Sequence, residues 1–164
     1  MYFSIYIMEG FKDHTNLFNS YIDNFINDLN DNSVYEPIKY FLKLPSKRVR
    51  PILTLISSRL YNDDTDYALS AALANELFHN FTLLHDDIMD GATLRRGQQT
   101  VHQKWDVNTG ILSGDALLVT AYQQLNFYDD ALFSVLTKLL SETALLVCEG
   151  QQYDVDFETR DNVS

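Results

Sequence analysis

The chain has 164 residues, of which 46% are apolar and 21% charged, a composition that is typical of a globular protein and excludes an intrinsically disordered one. The 23 acidic residues outnumber the 12 basic ones and give a net charge of −11, which argues against general nucleic-acid binding, because such binding needs a basic surface. Cys148 is the single cysteine, so no disulfide can form within the chain, and this fits a cytoplasmic location.

The N-terminal residues 1–7 are apolar and aromatic, but they lack the positive charge and the small-residue cleavage site of a secretory signal. Met8 is a second possible start, which makes residues 1–7 a candidate upstream translation artefact. The longest uncharged stretch, residues 116–128, has 13 residues, whereas a membrane span needs roughly 18. We therefore expect no membrane span.

Long segments without glycine or proline predict helices. Residues 52–90 and 115–149 contain neither, and both segments are far longer than an ordinary strand. Apolar residues repeat at intervals of three and four over 17–29 and 132–147, as they do in amphipathic helices. The sequence shows no convincing alternating strand, and it predicts an all-α chain of about six helices.

Proline and aspartate mark the predicted helix starts. Pro51 is expected as the first residue of a helix that runs to about Leu60. The acidic segment 63–66 would cap the next helix, and Asp129 and Asp130 would cap a later one, so these acids need no counter-ion. The polar segment 157–164 is interpreted as an interhelical loop, which suggests the N-terminal part of a longer protein.

Three aspartates lie together at the end of one predicted helix. A helix turns about 100° per residue, so Asp86 and Asp90 lie about 40° apart on one face, with Asp87 about 60° to the other side of Asp90. Like charges at this spacing and at a helix C-terminus are unfavourable. The cluster indicates a counter-ion, and Mg²⁺ is the natural candidate because it prefers carboxylate and phosphate oxygens. A solvated acidic helix end is the alternative.

Two groups of basic residues accompany the aspartates. Arg95 and Arg96 follow in a glycine-flanked loop, and adjacent side chains point in different directions, so they can hold two different anions. Residues 47–50 (KRVR) directly precede a predicted helix, whose free N–H groups also favour anions. The planar fork of arginine suits phosphate. Each group alone is compatible with a surface patch, but with the aspartates they predict two phosphorylated substrates, one of them bound through metal.

The order and spacing of these residues resemble a known family. Residues 83–90 (LLHDDIMD), followed by 94–97 (LRRG), resemble the first aspartate-rich motif of the trans-isoprenyl diphosphate synthases, the polyprenyl synthetase family. Residues 47–51 (KRVRP) look like its K-R-x-R-P element, and 149–154 (EGQQYD) are similar to its G-Q-x-x-D element. The resemblance runs from about 38 to 158.

The resemblance implies an all-α fold of antiparallel helices around a deep central cavity, usually as a homodimer. It implies the head-to-tail condensation of an allylic diphosphate with isopentenyl diphosphate, using Mg²⁺, to a short-chain product such as farnesyl or geranylgeranyl diphosphate. Residues 1–164 would be the N-terminal part of a single polyprenyl synthetase domain. The C-terminal half, with a second aspartate-rich motif, would be missing, so the chain alone is expected to be inactive.

The resemblance also assigns roles to residues of this sequence. The catalytic acids that bind metal fall on Asp86, Asp87 and Asp90. The catalytic arginine that faces the allylic diphosphate falls on Arg95. The groups that hold isopentenyl diphosphate fall on Lys47, Arg50, His79 and Arg96. Two substrate-facing residues of another helix fall on Gln151 and Asp154.

Product length is predicted from one aromatic residue. Phe81 precedes the first aspartate of the motif by five residues, and a bulky group there resembles family members that stop at short products. Thr82 points about 100° away and is expected to matter less. His85 and His102 are expected to be structural. The sequence departs from the family pattern at Ser46, where the family usually has glycine.

Two other functions remain open at this stage. A terpene cyclase also uses an aspartate cluster, but it does not need a second diphosphate site, so Lys47, Arg50 and Arg96 speak against it. A non-catalytic or truncated subunit that modulates a partner synthase is the other alternative. The intact aspartates and arginines argue against a subunit that has lost catalysis, whereas the short chain argues for one.

Overall fold

A computed structural model describes residues 2–157, and the side chains of residues 11–157. Its elements in chain order are α1 (Tyr2–Asp28), α2 (Tyr35–Leu42), α3 (Val49–Arg59), α4 (Leu69–Met89), β1 (Leu94–Arg95), β2 (Gln98–Gln99), α5 (Val101–Lys104), α6 (Val107–Gln124) and α7 (Asp130–Phe157). Short 3₁₀ turns at Asp66–Ala68 and Leu125–Phe127 precede α4 and α7. The all-α prediction is confirmed. The seven helices of the described part agree with the expected number of about six.

The described residues fall into two compact units, one that ends at Gln124 and one that begins at Leu125. The first unit contains α1 to α6 with the two short strands β1 and β2, and the second contains α7. That residues 1–164 form the N-terminal part of one domain stays a prediction.

The first unit is built around α4, which packs against both α3 and α6. Its core consists of apolar side chains that each helix presents at intervals of three and four. In α1, for example, Phe18, Ile22 and Ile26 are each at most 1% exposed, which confirms the amphipathic pattern predicted there. The largest fully buried side chains of the other helices are Ile38, Phe41, Leu42, Ile52, Leu55, Leu73, Leu77, Leu84 and Leu117.

Two helices begin at residues other than those predicted. α3 starts at Val49, so Pro51 lies at its third position, where a missing N–H still costs no helical hydrogen bond. The acidic segment before α4 does start regular structure, and the backbone N–H of Asp66 donates to the Asp64 carboxylate over 3.1 Å. A 3₁₀ turn intervenes there, so α4 itself begins only at Leu69.

Glycine allows α4 and α6 to pack closely. A Cβ built on Gly110 would lie 2.8 Å from Cδ1 of Ile88, and a Cβ on Gly114 would collide with the imidazole of His85. That imidazole is held in place, because its Nε2 donates to the carbonyl of Ile111 over 3.2 Å and its ring packs edge-on against Phe81. These contacts agree with the structural role expected of His85, which stays a prediction.

We expect Gly114→Ala to lower the free energy of unfolding by about 1–3 kcal/mol, because the added methyl group forces apart two packed helices. Gly150→Ala is the matched control, since Gly150 lies within α7 and a Cβ added there would have no neighbouring atom within 4 Å. Alanine there should raise helix stability by about 0.5–1 kcal/mol. Denaturant unfolding of the full-length protein measures both changes, and equal effects of the two substitutions would contradict this account of the packing.

α7 is the one helix of the described part that is long and apolar enough to cross a membrane, judged by length and composition. Its most apolar 18-residue window has a mean hydropathy of 1.6. This helix contains no long uncharged run, because Lys138 and Glu142 interrupt it. Their side chains lie one turn apart and form an ion pair of 3.8 Å. Core helices of soluble proteins share this composition, so the finding does not by itself define a membrane span.

Candidate active site

The aspartate cluster lies where α4 ends, as predicted. Asp90 is the C-cap, and Gly91 follows with a left-handed φ of 59°. The N–H of Gly91 donates to the carbonyl of Ile88, and that of Ala92 donates to the carbonyl of Asp87 over 2.9 Å. This is the Schellman ending that glycine favours, and it turns the chain sharply after the last aspartate.

The three carboxylates have different surroundings. Asp86 is partly exposed and Asp90 is exposed, whereas Asp87 is only 1% exposed. Arg95 donates from Nε to Oδ1 of Asp87 over 2.8 Å, and its Nη2 lies 3.4 Å from Oδ2 of Asp86. Burial raises the pKa of Asp87, although the hydrogen bond from Arg95 opposes this effect. Arg95 therefore ties the first two aspartates of the cluster to the hairpin.

A tight hairpin separates Arg95 from Arg96. Arg95 pairs with Gln98 across the two strands, and the intervening Arg96 and Gly97 have φ angles of 53° and 78°. Two successive positive φ angles are the mark of a type I′ hairpin turn. The turn sends the two arginine side chains apart, so the prediction that they point in different directions is confirmed. The sequence shows no alternating pattern here, because each strand has only two residues.

Arg96 instead lines a cavity of about 370 Å³ beside α4. The other residues around it are Pro45, Ser46, Lys47, Arg48, Val49, Arg50, Glu76 and His79. The structure thus brings together all four residues predicted to hold isopentenyl diphosphate. Nη1 of Arg96 is buried without a hydrogen-bond partner among the described residues, and burial lowers the pKa of this guanidinium. A buried cationic donor without an acceptor is suited to an anionic ligand.

His79 contributes to this cavity as a neutral imidazole. Arg50 lies with Nη1 3.1 Å from Nε2 of His79, so the arginine donates and the histidine nitrogen accepts. Burial lowers the pKa of His79 below its ordinary 6.5, and the positive charge of Arg50 lowers it further, while Glu76 opposes both. The neutral ring can therefore remain an acceptor for Arg50.

The lowered pKa of His79 makes stability depend on pH. The unfolded chain takes up a proton near 6.5, but the folded chain does so only at lower pH, so this residue reduces stability as the pH falls below 6.5. We expect His79→Gln to weaken the loss of unfolding free energy between pH 7.5 and about pH 5.5. Denaturant unfolding at both values tests this, and an unchanged pH dependence would contradict the assignment.

Sequence reasoning missed one buried ion pair in the cavity wall. Nη1 of Arg48 donates to Oε1 of Glu76 over 2.6 Å, and the side chains are 8% and 2% exposed. From the sequence, Arg48 is only one member of a basic group, and Glu76 belongs to no motif. The sequence nevertheless offers a signal for this pair, since Glu76 is the one charged residue between Asp66 and Asp86. A buried acid of this kind needs a partner.

The remaining predicted residues lie in different places. Phe81 is half-buried, with its ring centroid 4.8 Å from that of His85 and 5.8 Å from that of Phe78. The hydroxyl of Thr82 donates to the carbonyl of His79 over 2.8 Å, which is a local helix contact. Gln151 and Asp154 lie one turn apart on α7, in the second unit. That they face the cavity stays a prediction.

Among the side chains of residues 11–157, no three or more His, Cys, Asp or Glu residues lie close enough together to hold a metal ion by themselves. The carboxylates of Asp86 and Asp90 remain at the accessible end of α4, one turn apart, with the N–H of Asp90 donating to the carbonyl of Asp86 over 2.9 Å. This arrangement fits a cation that takes one or two protein carboxylates and completes its shell with phosphate and water, as Mg²⁺ does.

The site thus combines carboxylates and two divergent arginines at the end of one helix of an all-α unit. Residues 31–164 match the sequence profile of the family described as polyprenyl synthetase. The chain belongs to this family, as its motifs indicated.

Known relatives support the assignment. A geranylgeranyl pyrophosphate synthase of Geoglobus acetivorans is 38% identical over 159 residues, which cover 96% of this chain and 50% of that protein. A geranylgeranyl diphosphate synthase of Methanosarcina mazei is 35% identical, with coverages of 96% and 49%. A solved geranylgeranyl pyrophosphate synthase structure matches with a TM-score of 0.90 and 53% identity, over 94% of this chain and 47% of that one. The chain thus spans about half the length of these relatives.

Proposed function

We propose that the full-length protein containing this chain is a Mg²⁺-dependent prenyltransferase. It condenses an allylic diphosphate with isopentenyl diphosphate head-to-tail and forms a short-chain product, farnesyl or geranylgeranyl diphosphate. The observation that carries this proposal is the divergence of Arg95 and Arg96 at the end of α4. Arg95 lies with the carboxylates, and Arg96 lies in a cavity lined by further cations. Two diphosphates with different binding needs suit these two sites.

The residues present fit the chemistry of this reaction. An allylic carbon–oxygen bond breaks readily because the resulting cation is delocalised, so the protein must chiefly stabilise the departing diphosphate. Arg95 would hold that group beside Asp86, while Lys47, Arg50 and Arg96 would hold isopentenyl diphosphate. The double bond attacks, a new carbon–carbon bond forms and a proton is lost. No nucleophilic serine or cysteine is required.

Mg²⁺ would be held by Asp86 and Asp90. When bound, it would neutralise charge on the allylic diphosphate and so make that group a better leaving group. The exposure of these two carboxylates supports this choice. Asp87 was predicted as a third ligand, but its burial and its bond to Arg95 favour a role in orienting the arginine.

Further properties of the whole protein belong to the same proposal. We infer a cytoplasmic homodimer without a membrane span, since the family resemblance implies the dimer and the single cysteine fits a reducing compartment. Residues 1–164 alone are proposed to be inactive, because the resemblance implies a second aspartate-rich motif and these residues offer no counterpart to it.

Incorporation of labelled isopentenyl diphosphate tests the proposed activity. The full-length protein, supplied with Mg²⁺ and an allylic diphosphate, should convert the label into prenyl diphosphates that are extractable as alcohols after dephosphorylation. A terpene cyclase would consume the allylic substrate alone, and a non-catalytic subunit would incorporate label only with a partner synthase. Either result would contradict the proposal.

Phe81→Ala should shift the products towards longer chains. Phe81 precedes Asp86 by about 1.4 helical turns, or roughly 7.5 Å along the axis, so a tail that runs back from the diphosphate would meet its ring. A packed aromatic wall of Phe78, Phe81 and His85 yields little to an additional isoprene unit. Chromatography of dephosphorylated products under excess isopentenyl diphosphate measures the change.

Thr82→Ala is the matched control for this prediction. Its hydroxyl is bonded to the backbone of α4, and its side chain points about 100° away from that of Phe81. We expect its products to resemble those of the unmodified protein. If Phe81→Ala also leaves the products unchanged, the residue that limits product length lies elsewhere, for example on α6.

A further inference from the structure

Glu76 is a buried acid within the cationic cavity, and it is bonded on two sides. Its Oε1 accepts from Nη1 of Arg48 over 2.6 Å and from Nδ2 of Asn80 over 3.1 Å. The carboxylate side chain is 2% exposed. Asn80 also donates to the backbone carbonyl of Glu76 over 2.7 Å, so the acid is fixed on α4 by its own helix. The Glu76 carboxylate therefore has a fixed position on α4, and it is a rigid anchor for a side chain that binds it from another segment.

Arg48 connects this anchor to the segment that carries Lys47 and Arg50. Its Nη2 donates to the carbonyl of Leu42 over 2.6 Å, so the guanidinium joins α4 to the end of α2. Its backbone has a φ of 49°, a left-handed conformation that residues with a side chain seldom adopt. The serine hydroxyl of Ser46 accepts from the N–H of Arg48 over 3.3 Å and supports the turn. A strained turn of this kind persists only where surrounding contacts enforce it.

The turn determines where the two neighbouring cations lie. Lys47 precedes Arg48, and Arg50 is the second residue of α3; both are exposed, although Arg48 is buried. One arginine thus points inward to Glu76, while its neighbours line the cavity. Glu76 lies one helical turn before His79, and its charge acts on both His79 and Arg96. The acid therefore acts on His79 and Arg96 through its charge, and Arg48 joins it to the segment that carries Lys47 and Arg50.

We propose that Glu76 is a positioning residue for the isopentenyl diphosphate site and that Arg48 is its tether rather than a phosphate ligand. The ion pair holds the 45–50 segment against α4, so that Lys47 and Arg50 converge on the same space as His79 and Arg96. This inference rests on the proposed prenyltransferase function, because that function defines what the cavity binds.

The substitution Glu76→Gln distinguishes a positioning role of Glu76 from a purely electrostatic one. If the acid only offset the surrounding positive charge, its removal would leave a more cationic cavity that binds a diphosphate more tightly. If it positions the 45–50 segment, its removal loosens the cations and weakens binding. We expect the KM for isopentenyl diphosphate to rise about tenfold, which is the effect of losing one charge-assisted hydrogen bond. The KM for the allylic diphosphate should not change correspondingly.

Two further variants of the full-length protein complete the experiment. Glu36→Gln is the matched control, since it removes the same charge from an exposed position on α2 and should leave both KM values unchanged. Arg48→Gly with Glu76→Gln removes both charges together, leaves no buried ion unpaired and places glycine where φ is positive. This double variant should fold, as its thermal unfolding can show, and should retain the raised KM for isopentenyl diphosphate.

The outcomes separate this inference from the proposed function. Lys47→Ala serves as the reference for loss of a direct ligand. If Lys47→Ala raises the KM for isopentenyl diphosphate while Glu76→Gln and the double variant leave it unchanged or lower it, Glu76 is not a positioning residue and the proposed function stands. If the unmodified protein does not use isopentenyl diphosphate at all, the proposed function fails, and this inference fails with it.

Discussion

Asp86→Ala and Asp90→Ala should each lower turnover by several orders of magnitude in the full-length protein, because each removes a carboxylate that would hold the metal at the leaving diphosphate. The two carboxylates lie one turn apart at the end of α4, and Asp86 lies 3.4 Å from Nη2 of Arg95. Steady-state rates with Mg²⁺ measure the effect, and the loss should persist at saturating substrate.

Asp63→Ala is the control for this prediction. Asp63 is an exposed acid in the turn before α4, and its removal changes the net charge in the same way. Turnover of this variant should equal that of the unmodified protein. Near-normal turnover in both Asp86→Ala and Asp90→Ala would contradict the metal role and would leave the cluster as a solvated helix end.

The two arginines should separate the two substrates kinetically. We expect Arg96→Ala or Lys47→Ala chiefly to raise the KM for isopentenyl diphosphate, because both residues line the cationic cavity. Arg95→Ala should chiefly raise the KM for the allylic diphosphate, because Arg95 lies with the carboxylates. Kinetics with each substrate varied in turn measure the split. Equal effects of both arginines on both substrates would indicate one shared site.

Arg95→Ala should also destabilise the protein. Its removal leaves the buried carboxylate of Asp87 without its donor, which costs about 1–3 kcal/mol of unfolding free energy. The raised pKa of Asp87 limits the cost, since the acid can take up a proton. Arg59→Ala, at the exposed end of α3, is the control for the loss of one positive charge and should change neither stability nor either KM.

Periodicity and local chemistry were sufficient to predict much of the site. The helix that ends at the aspartates, the glycine-flanked loop after it and the different directions of Arg95 and Arg96 all follow from residues within one short segment. The family resemblance then joined Lys47 and Arg50 to His79, and the cavity confirms that these residues lie together.

Contacts between residues far apart in the chain could not be predicted from the sequence. Helical geometry places the three aspartates around one helix end, but it does not say which of them faces the protein interior, and burial of Asp87 depends on a hairpin eight residues later. The pairing of Arg48 with Glu76 joins residues 28 positions apart, so no local period reveals it. The hairpin itself escaped because its strands have two residues each.

Release of inorganic pyrophosphate tests the central claim most directly. The full-length protein, with Mg²⁺ and an allylic diphosphate, should release pyrophosphate only when isopentenyl diphosphate is also present, with one pyrophosphate for each isopentenyl unit consumed. Release that proceeds equally well without isopentenyl diphosphate would contradict the claim that residues around Arg95 and Arg96 serve two different diphosphate substrates.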